Sequence, residues 1–372
     1  MSAAVRVLLV GAGTIARVHA GALRDLGDRA EVVGVVDVDP AVAAPFAREY
    51  GIPRAGADLD ALLAETRPDL VHVCTPPAAH LDAARAALAA GAHVLVEKPP
   101  TLTLRDLDAL AAASAASGRH VATVFQHRFG SGARRLRALR DAGVLGRPLL
   151  AVCHTTWFRP QAYFDVPWRG RWETEGGGPT MGHGIHQMDL LLALLGDWTS
   201  VRAVARRQAR DVDTEDVSLA HVTFADGAVA SVVNSVVSPR EESHLRFDFE
   251  RATVELTHLY GYDDTAWRVT PAPGHADAVL RAWRAGEHGV PSGHRAQFVA
   301  VLDALAGGDP PPVTPAEAAR TMRLVAAVYA AAFTGRAVGP GDLGPGSPFY
   351  ERMRGDGPPW PAARRLSEEA VA

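Results

Sequence analysis

The sequence predicts an α/β protein with two domains, the first built on a doubly wound parallel sheet and the second on an open, largely antiparallel sheet with helices. Over the first 125 residues, short β-branched runs alternate with alanine-rich helical stretches, the pattern of a parallel sheet covered on both faces. Beyond residue 200, strand-like runs follow one another without intervening helices, which favours antiparallel pairing. A chain of 372 residues is long enough for two cores.

The first domain is predicted to span residues 1–125. Its strands are expected at 5–10, 31–37, 70–75, 93–97 and 120–125. Its helices are expected at 15–26, 40–50, 59–65, 78–90 and 104–116. At least one helix separates each strand from the next, as the crossover connections of a parallel sheet require.

The second domain is predicted to span residues 126–340, and a Gly/Pro-rich tail follows at 341–372. Helices are expected at 131–142, 179–195, 295–306 and 315–333, with a loop rich in Trp, Arg and Gly at 159–178. Strands are expected at 149–158, 201–209, 217–225, 228–237, 245–250 and 253–257. The Asp226-Gly227 pair is a hairpin signal between two of these strands.

Composition narrows the function. The net charge is -4 and the arginines are scattered, so no nucleic-acid partner is predicted. No apolar run approaches the roughly 18 residues of a membrane helix, and the apolar run near the start is too short for a signal peptide, so we expect a cytoplasmic protein. Cys74 and Cys153 belong to no CxxC pair, which argues against disulfides and a cysteine zinc site.

One residue stands out by composition. Of the 38 Lys and Arg residues only Lys98 is a lysine, and it follows a predicted strand in the run Glu97-Lys98-Pro99. Arginine serves on surfaces and in ion pairs but stays protonated, whereas a desolvated lysine can lose its proton near neutral pH. Chance would leave the last lysine at this position about once in 38. The sequence therefore predicts a chemical task for Lys98.

A dinucleotide fingerprint follows the first strand directly. In the run from Gly11 to Ala16, Gly11 permits a tight turn, Gly13 lets a pyrophosphate approach, and Ala16 allows close helix packing. The backbone of Thr14 and Ile15 begins the helix whose N–H groups would meet the phosphate charge. These features predict a Rossmann domain.

Asp37 lies 21 residues beyond Ala16, at the end of the second strand. Its carboxylate is placed to accept hydrogen bonds from the adenosine ribose. No arginine follows it to hold a 2′-phosphate, and Asp39 would repel one, so the cofactor is predicted to be NAD. The alternative for Asp37 is a helix cap or turn.

Other strand ends point to the nicotinamide. Thr75, Pro76 and Lys98 follow two strands, and open α/β sheets bind ligands beyond the carboxyl ends of their strands. His80 either contacts the cofactor or occupies the first turn of the next helix.

With the glycine-rich approach to a histidine-bearing helix at 176–189, these motifs resemble the Gfo/Idh/MocA oxidoreductases over roughly residues 5 to 340. The resemblance implies NAD(P)-dependent oxidation or reduction of a sugar or polyol, and a homodimer or homotetramer formed through the second sheet. It places Glu97 and Lys98 at the cofactor, with Lys98 also on the substrate oxygen. His186 matches the family's general acid/base, a task that suits imidazole, and a cationic lysine would stabilise a developing alkoxide.

One position departs from the family. Many members carry Asp or Asn four residues before the catalytic histidine, where this chain has Gly182. His183 is the adjacent candidate for a substrate contact, although on an ideal helix it points about 100° away. The spacing of His183, His186 and Asp189 gives no good ligand set, so no metal is predicted. Asp189 is expected to orient His186 or to cap a buried contact.

Two further groups carry open alternatives. Arg128 contacts cofactor or substrate, or else forms a structural ion pair. Trp168 and Arg169 are favoured as substrate contacts, because the family often has a Trp-Arg pair here, against a loop that packs its own aromatic residues.

The leading hypothesis is an NAD-dependent dehydrogenase for a secondary hydroxyl of a sugar, glycoside or cyclitol. The alternatives are an NAD-dependent enzyme that cleaves glycosides through transient oxidation and elimination, and a non-catalytic NAD-binding sensor.

Overall fold

A computed structural model describes residues 4–363. The first sheet has six strands: β1 Val5–Val10, β2 Ala30–Val36, β3 Ala55–Gly56, β4 Leu70–Val73, β5 His93–Val96 and β6 Val121–Thr123. They lie in the order β3-β2-β1-β4-β5-β6, and every pairing is parallel. The α/β class and the parallel first sheet are confirmed; the two-residue strand β3 was not predicted.

Five helices accompany this sheet: α1 Thr14–Arg24, α2 Pro40–Tyr50, α3 Leu59–Thr66, α4 His80–Ala89 and α5 Leu104–Ser117. Local chemistry sets where several begin. Asp39, Asp58 and Thr103 cap α2, α3 and α5, each accepting a backbone N–H of the first turn. The buried strands β4 and β5 are continuously apolar except for His72 and His93.

The second sheet has seven strands: β7 Pro148–Phe158, β8 Trp198–Arg206, β9 Val217–Phe224, β10 Val229–Ser235, β11 Val237–Phe249, β12 Ala252–His258 and β13 Trp267–Pro271. Their order is β13-β12-β11-β7-β10-β9-β8. Only β7 and β10 pair in parallel, so the sheet is largely antiparallel as predicted. Exposed apolar side chains on its outer face include Leu150, Val204, Leu219 and Val229.

The remaining helices are α6 Ser131–Asp141, α7 Trp172–Glu175, α8 Pro179–Gly182, α9 Ile185–Leu195, α10 Ala276–Ala285, α11 His294–Gly307, α12 Pro315–Thr334 and α13 Pro348–Glu351. Strand β13 and helix α10 were not predicted. The predicted helix at 179–195 is wrong in one respect, because it is broken between α8 and α9. A Cβ at Gly184 would lie 1.8 Å from the Asn234 Oδ1, so glycine is what allows the chain to lie this close to β10.

The end of the chain returns to the first sheet. Helix α11 lies against α1 and places Phe298 in the apolar core between that helix and the sheet. The Val313 carbonyl accepts the Thr123 N–H at the edge strand β6. Helix α12 contacts both α5 and β8 and so joins the two sheets. Within residues 4–363, no helix combines the length and apolarity needed to cross a bilayer.

Candidate active site

The loop between β1 and α1 is built to receive an anion. Gly11 has φ +96°, and a Cβ there would lie 2.8 Å from the Cys74 carbonyl oxygen, so only glycine fits. At Gly13 nothing lies within 4 Å of a Cβ position, and both Gly13 and Thr14 are exposed. No side chain caps α1 at Gly13. The loop thus leaves room and helix N–H groups for a pyrophosphate, and Ile15 follows it, half-buried.

Asp37 is tied to this loop. Its Oδ2 accepts the Ala12 N–H at 2.8 Å and its Oδ1 accepts the Asp39 N–H at 3.0 Å. The helix cap is Asp39, not Asp37, while the bond from the Asp39 N–H gives Asp37 the turn position that the alternative predicted. A half-buried carboxylate at the end of β2, beside the glycine loop, fits the ribose of NAD.

His80 has a structural position. Its Nδ1 lies 2.7 Å from the Pro99 carbonyl and its Nε2 2.9 Å from the Thr75 carbonyl, and the ring is buried. The ring therefore links the two strand-end loops that carry Thr75 and Lys98. Of the two alternatives, the first turn of the next helix is the one that the structure shows, since His80 begins α4, and a contact with the cofactor stays a prediction. Pro76 is exposed, and the buried Thr75 hydroxyl has no hydrogen-bond partner among the described residues.

The Glu97 side chain points toward α1, where His19 is its partner. Its Oε1 accepts the Nε2–H of His19 at 2.9 Å and the Nε2–H of His294 at 3.2 Å. The Nδ1 atoms of His19 and His72 lie 2.9 Å apart. We call these four residues the closed cluster. His19 and His294 are the side-chain partners of the Glu97 carboxylate, and its contact with the cofactor stays a prediction.

Electrostatics agree with this arrangement. Burial alone would raise the pKa of Glu97, but the hydrogen bonds from His19 and His294 outweigh it and hold the pKa well below its usual range. One ligand-type atom from each of these three residues lies within 4.8 Å of the others, a spacing that a metal ion could use. Since an anionic oxygen that accepts two imidazole N–H groups needs no cation, we assign no metal here.

Lys98 points the opposite way. Its Nζ donates to the Gly182 carbonyl at 2.8 Å, which joins the end of β5 to the end of α8. Burial lowers the pKa of Lys98, while the carboxyls of Glu97 and Glu175 oppose that change. The ammonium therefore stands next to the segment that begins the histidine helix.

His186 lies in the first turn of α9 and is 3% exposed. Neither of its ring nitrogens has a hydrogen-bond partner among the described residues. Burial lowers its pKa well below the usual range, and the charge of Lys98 adds to this. At neutral pH the imidazole is uncharged and can accept a proton.

His127 packs against His186, and the sequence analysis assigned no role to it. The two rings lie 5.1 Å apart. His127 donates its Nε2–H to the Tyr260 carbonyl at 2.7 Å, and burial lowers its pKa to about 3. Tyr260 also stands 6.2 Å from His186, ring to ring. A histidine after a short Rossmann strand gives too little signal to be assigned from sequence alone.

The predicted aromatic loop forms the wall beside His183. The Tyr163 hydroxyl lies 3.5 Å from the His183 Nε2. The guanidinium of Arg169 stacks 3.7 Å from the Tyr163 ring centre and 4.6 Å from that of Trp168. Because the helix is broken at Gly184, the ideal-helix angle between His183 and His186 does not apply. The side chains of His183, Trp168 and Arg169 therefore belong to one wall.

Arg128 and Asp189 form a structural ion pair. The guanidinium makes two 2.6 Å bonds to the buried Asp189 carboxylate and a third contact to Glu317. Thr321 also donates to Asp189. Of the two alternatives for Arg128, the structural ion pair is the one that the structure shows, and a contact with the cofactor stays a prediction. The carboxylate of Asp189 bonds to Arg128 and Thr321, so it caps a buried contact.

Comparison with known proteins decides the family. A sequence model of the oxidoreductase family with an NAD-binding Rossmann fold matches residues 5–125, and a model of the GFO/IDH/MocA C-terminal domain matches residues 133–255. The chain belongs to the Gfo/Idh/MocA family. The resemblance of the motifs is thereby confirmed, as are the Rossmann domain and its cofactor NAD.

Individual members of the Gfo/Idh/MocA family are similar over most of their length. D-glucoside 3-dehydrogenase of Escherichia coli (strain K12) is 30% identical over 285 residues, which cover 70% of this chain and 79% of that protein. UDP-N-acetylglucosamine 3-dehydrogenase of Acidithiobacillus ferrooxidans is 30% identical over 286 residues, covering 74% and 82%. The WlbA dehydrogenase from Bordetella pertussis, crystallised with NADH and UDP-GlcNAcA, superposes with a TM-score of 0.81 at 27% identity, covering 90% and 98%.

Proposed function

We propose that the protein is an NAD-dependent dehydrogenase that oxidises a secondary hydroxyl of a sugar, glycoside, cyclitol or sugar nucleotide. The observation that carries this proposal is that the Lys98 ammonium lies next to the segment that begins the helix of His186. Lys98 bonds to the carbonyl of Gly182, four residues before His186, whose ring nitrogens have no partner among the described residues. Relatives named as dehydrogenases of a glucoside and of a nucleotide sugar support the substrate class.

The cofactor would be held by the glycine loop from Gly11 to Ile15, by Asp37 at the ribose, and by the strand-end loop of Thr75 and Pro76. When bound, NAD supplies the acceptor for the hydride of the carbinol carbon. Asp37 and the sequence Val38-Asp39-Pro40 that follows it, which contains no arginine, favour NAD over NADP.

The two reacting residues have different roles. A ring nitrogen of uncharged His186 accepts the proton of the substrate hydroxyl oxygen, and returns it in the reverse direction. The Lys98 Nζ donates hydrogen bonds to the same oxygen and stabilises negative charge as it develops there. The rings of Trp168 and Tyr163, with Arg169 and His183, form the wall that contacts the rest of the sugar.

The test is a panel of glucosides, polyols, cyclitols and UDP-sugars with NAD or NADP, in which NADH absorbance and products are followed together. We expect NADH formation with NAD, and a keto-sugar product. Cleavage of a glycoside without net NADH would favour the elimination reaction instead. Tight NAD binding without any turnover would favour a sensor.

We also propose that the outer face of the second sheet joins copies of the chain into a dimer or tetramer. Val229 and Leu150 are register partners on β10 and β7, and 46% and 43% of their surfaces are exposed. Exposed apolar residues on adjacent strands favour burial against a second copy. Light scattering of the wild type and of Leu150→Asp tests this, since a monomeric wild type would contradict it.

A further inference from the structure

Glu175 is a buried glutamate to which neither the sequence motifs nor the proposed reaction assign a role. It ends the short helix α7, directly before three glycines, and is 7% exposed. Its Oε2 accepts the Gly170 N–H at 2.6 Å, and Gly170 is the one hydrogen-bond donor to this carboxyl among the described residues. A buried carboxyl with a single hydrogen-bond donor costs folding free energy, so its presence calls for a functional explanation.

Its other oxygen faces Gly182. A Cβ built on Gly182 would lie 3.4 Å from the Glu175 Oε1. The carbonyl of the same glycine accepts the Lys98 Nζ bond at 2.8 Å. Glu175 and Lys98 therefore flank one glycine from two separate elements, α7 and the end of β5.

The glycine is what makes this arrangement possible. A methyl group at 182 would only reach ordinary contact, but a longer polar side chain there would compete with the Glu175 carboxyl for the same space. Gly182 thus removes a side chain from α8, and α7 supplies a carboxyl at that place.

We propose that Glu175 is a positioning residue for Lys98: its carboxylate stands in for a side chain at 182, keeps Lys98 protonated and holds Nζ toward the substrate oxygen. This inference rests on the proposed dehydrogenase function for its catalytic consequence. The electrostatic influence of the Glu175 carboxyl on Lys98 does not depend on it.

The charges around Glu175 are consistent with this role. Burial raises the pKa of Glu175 to about 7, although the Gly170 N–H, Arg169 and Lys98 oppose the rise and Glu215 adds to it. His183 faces the same cleft, but burial lowers its pKa and that of His186 well below the usual range. We therefore assign to Glu175 any titration near pH 7 that acts on Lys98.

The solitary lysine gives a direct measurement. Protein grown with lysine labelled with ¹³C at Cε has one lysine signal, from Lys98. In the wild type we expect this signal to move once near pH 7, with Glu175, and again when Lys98 itself loses its proton. In Glu175→Gln the first step should vanish and the second should move to lower pH. Glu173→Gln is the matched control, because Glu173 is on the same helix but exposed.

The spectra decide the pairing without any substrate. A Lys98 signal that is the same in Glu175→Gln and wild type would overturn the proposal. Glutamine keeps an oxygen for the Gly170 N–H, and thermal unfolding checks the fold. The folded-state pKa of Glu175 is raised from its usual 4.5 to about 7. The ionised carboxyl therefore destabilises the fold, and this loss of stability increases as the pH rises between those two values. The variant should therefore unfold at the same or a higher temperature than the wild type at pH 8.

Kinetics test the consequence. Glu175→Gln should lower kcat by up to about tenfold at pH values above the pKa of Lys98, where a fall of about one unit in that pKa lowers the protonated fraction tenfold. KM should be little altered, and the activity step near pH 7 should be lost. The double variant Glu175→Gln/Gly182→Asp places the carboxyl on α8 instead of α7 and should recover much of the kcat that Glu175→Gln loses. Gly182→Asp alone sets two carboxyls side by side and should not raise kcat above that of the wild type. A large rise in KM with unchanged kcat would instead assign Glu175 to substrate binding and contradict positioning. If the wild type turns over no sugar while the lysine signal responds as expected, the dehydrogenase function fails and the pairing stands.

Discussion

Two neighbouring residues, Glu97 and Lys98, lead into two clusters of opposite character. Glu97 enters the closed cluster, in which hydrogen bonds join its carboxylate to His19 and His294 and join His19 to His72. Lys98 enters what we call the open cleft, which it forms with Glu175, His183 and His186. There the nitrogens of His186 and the Nδ1 of His183 have no partner among the described residues.

The contrast separates structure from chemistry. Buried polar groups that are hydrogen-bonded add rigidity, whereas buried groups without partners cost free energy and persist where a ligand completes them. Both clusters contain histidines that are at most 9% exposed, so residue type and the burial of these histidines alone would not tell the clusters apart. The partners do, and substitutions in the two clusters should therefore affect different measurements.

The largest effect is expected for His186→Asn. Loss of the proton acceptor should lower kcat by roughly 100- to 10,000-fold, while thermal stability falls little because no hydrogen bond of His186 is broken. Steady-state kinetics and thermal unfolding on the same preparation measure both. A variant that unfolds early and keeps its kcat would place His186 with the closed cluster and break the comparison.

Lys98→Arg comes next. Arginine keeps the charge, but its planar group does not reproduce the Nζ bond to the Gly182 carbonyl. We expect kcat to fall roughly 100- to 1,000-fold, with NAD affinity retained in a binding measurement. Near wild-type turnover would show that any cation suffices there.

The first domain was the most predictable part of the fold, because its strands and helices carry local signals. Strand β1 and helix α2 begin and end where they were predicted. The break between α8 and α9 was not predicted; beside it Gly184 lies against Asn234, a packing partner 50 residues later in the chain that local sequence does not reveal. Strand β13 is a short edge strand with only Trp267 buried, so its alternation is too weak to read.

The site was predictable where residue type alone carries chemistry. A solitary lysine and a glycine loop are visible in sequence, and the family resemblance supplied His186. The roles of Arg128 and Glu97 were not visible, because each depends on partners that the fold brings from distant segments. Glu175 gave no signal at all, since its relation to Gly182 exists only in three dimensions.

In the closed cluster, Glu97→Gln should cost stability rather than chemistry. Hydrogen bonds to a charged group contribute about 1.5–3 kcal/mol each, so the free energy of unfolding should fall by roughly 3 kcal/mol. The folded-state pKa of Glu97 lies below its usual 4.5. Its contribution is therefore fully present above about pH 4.5 and is lost as the pH falls through the lower folded value. Denaturant unfolding from pH 8 to pH 3 should show wild type and variant converging in acid.

The smallest effect is expected for His72→Leu, which tests how closed the closed cluster is. Because the Nε2–H of His19 donates to Glu97, its Nδ1 must accept, and His72 donates its Nδ1–H. Leucine removes that donor but also removes the His72 Nε2, which has no partner among residues 4–363, and it packs against Phe298. The two changes offset each other, so the free energy of unfolding should fall by only about 1 kcal/mol and kcat should stay unchanged. A loss of kcat without a loss of stability would mean that His72 belongs to the proton chemistry, and that the two clusters act as one.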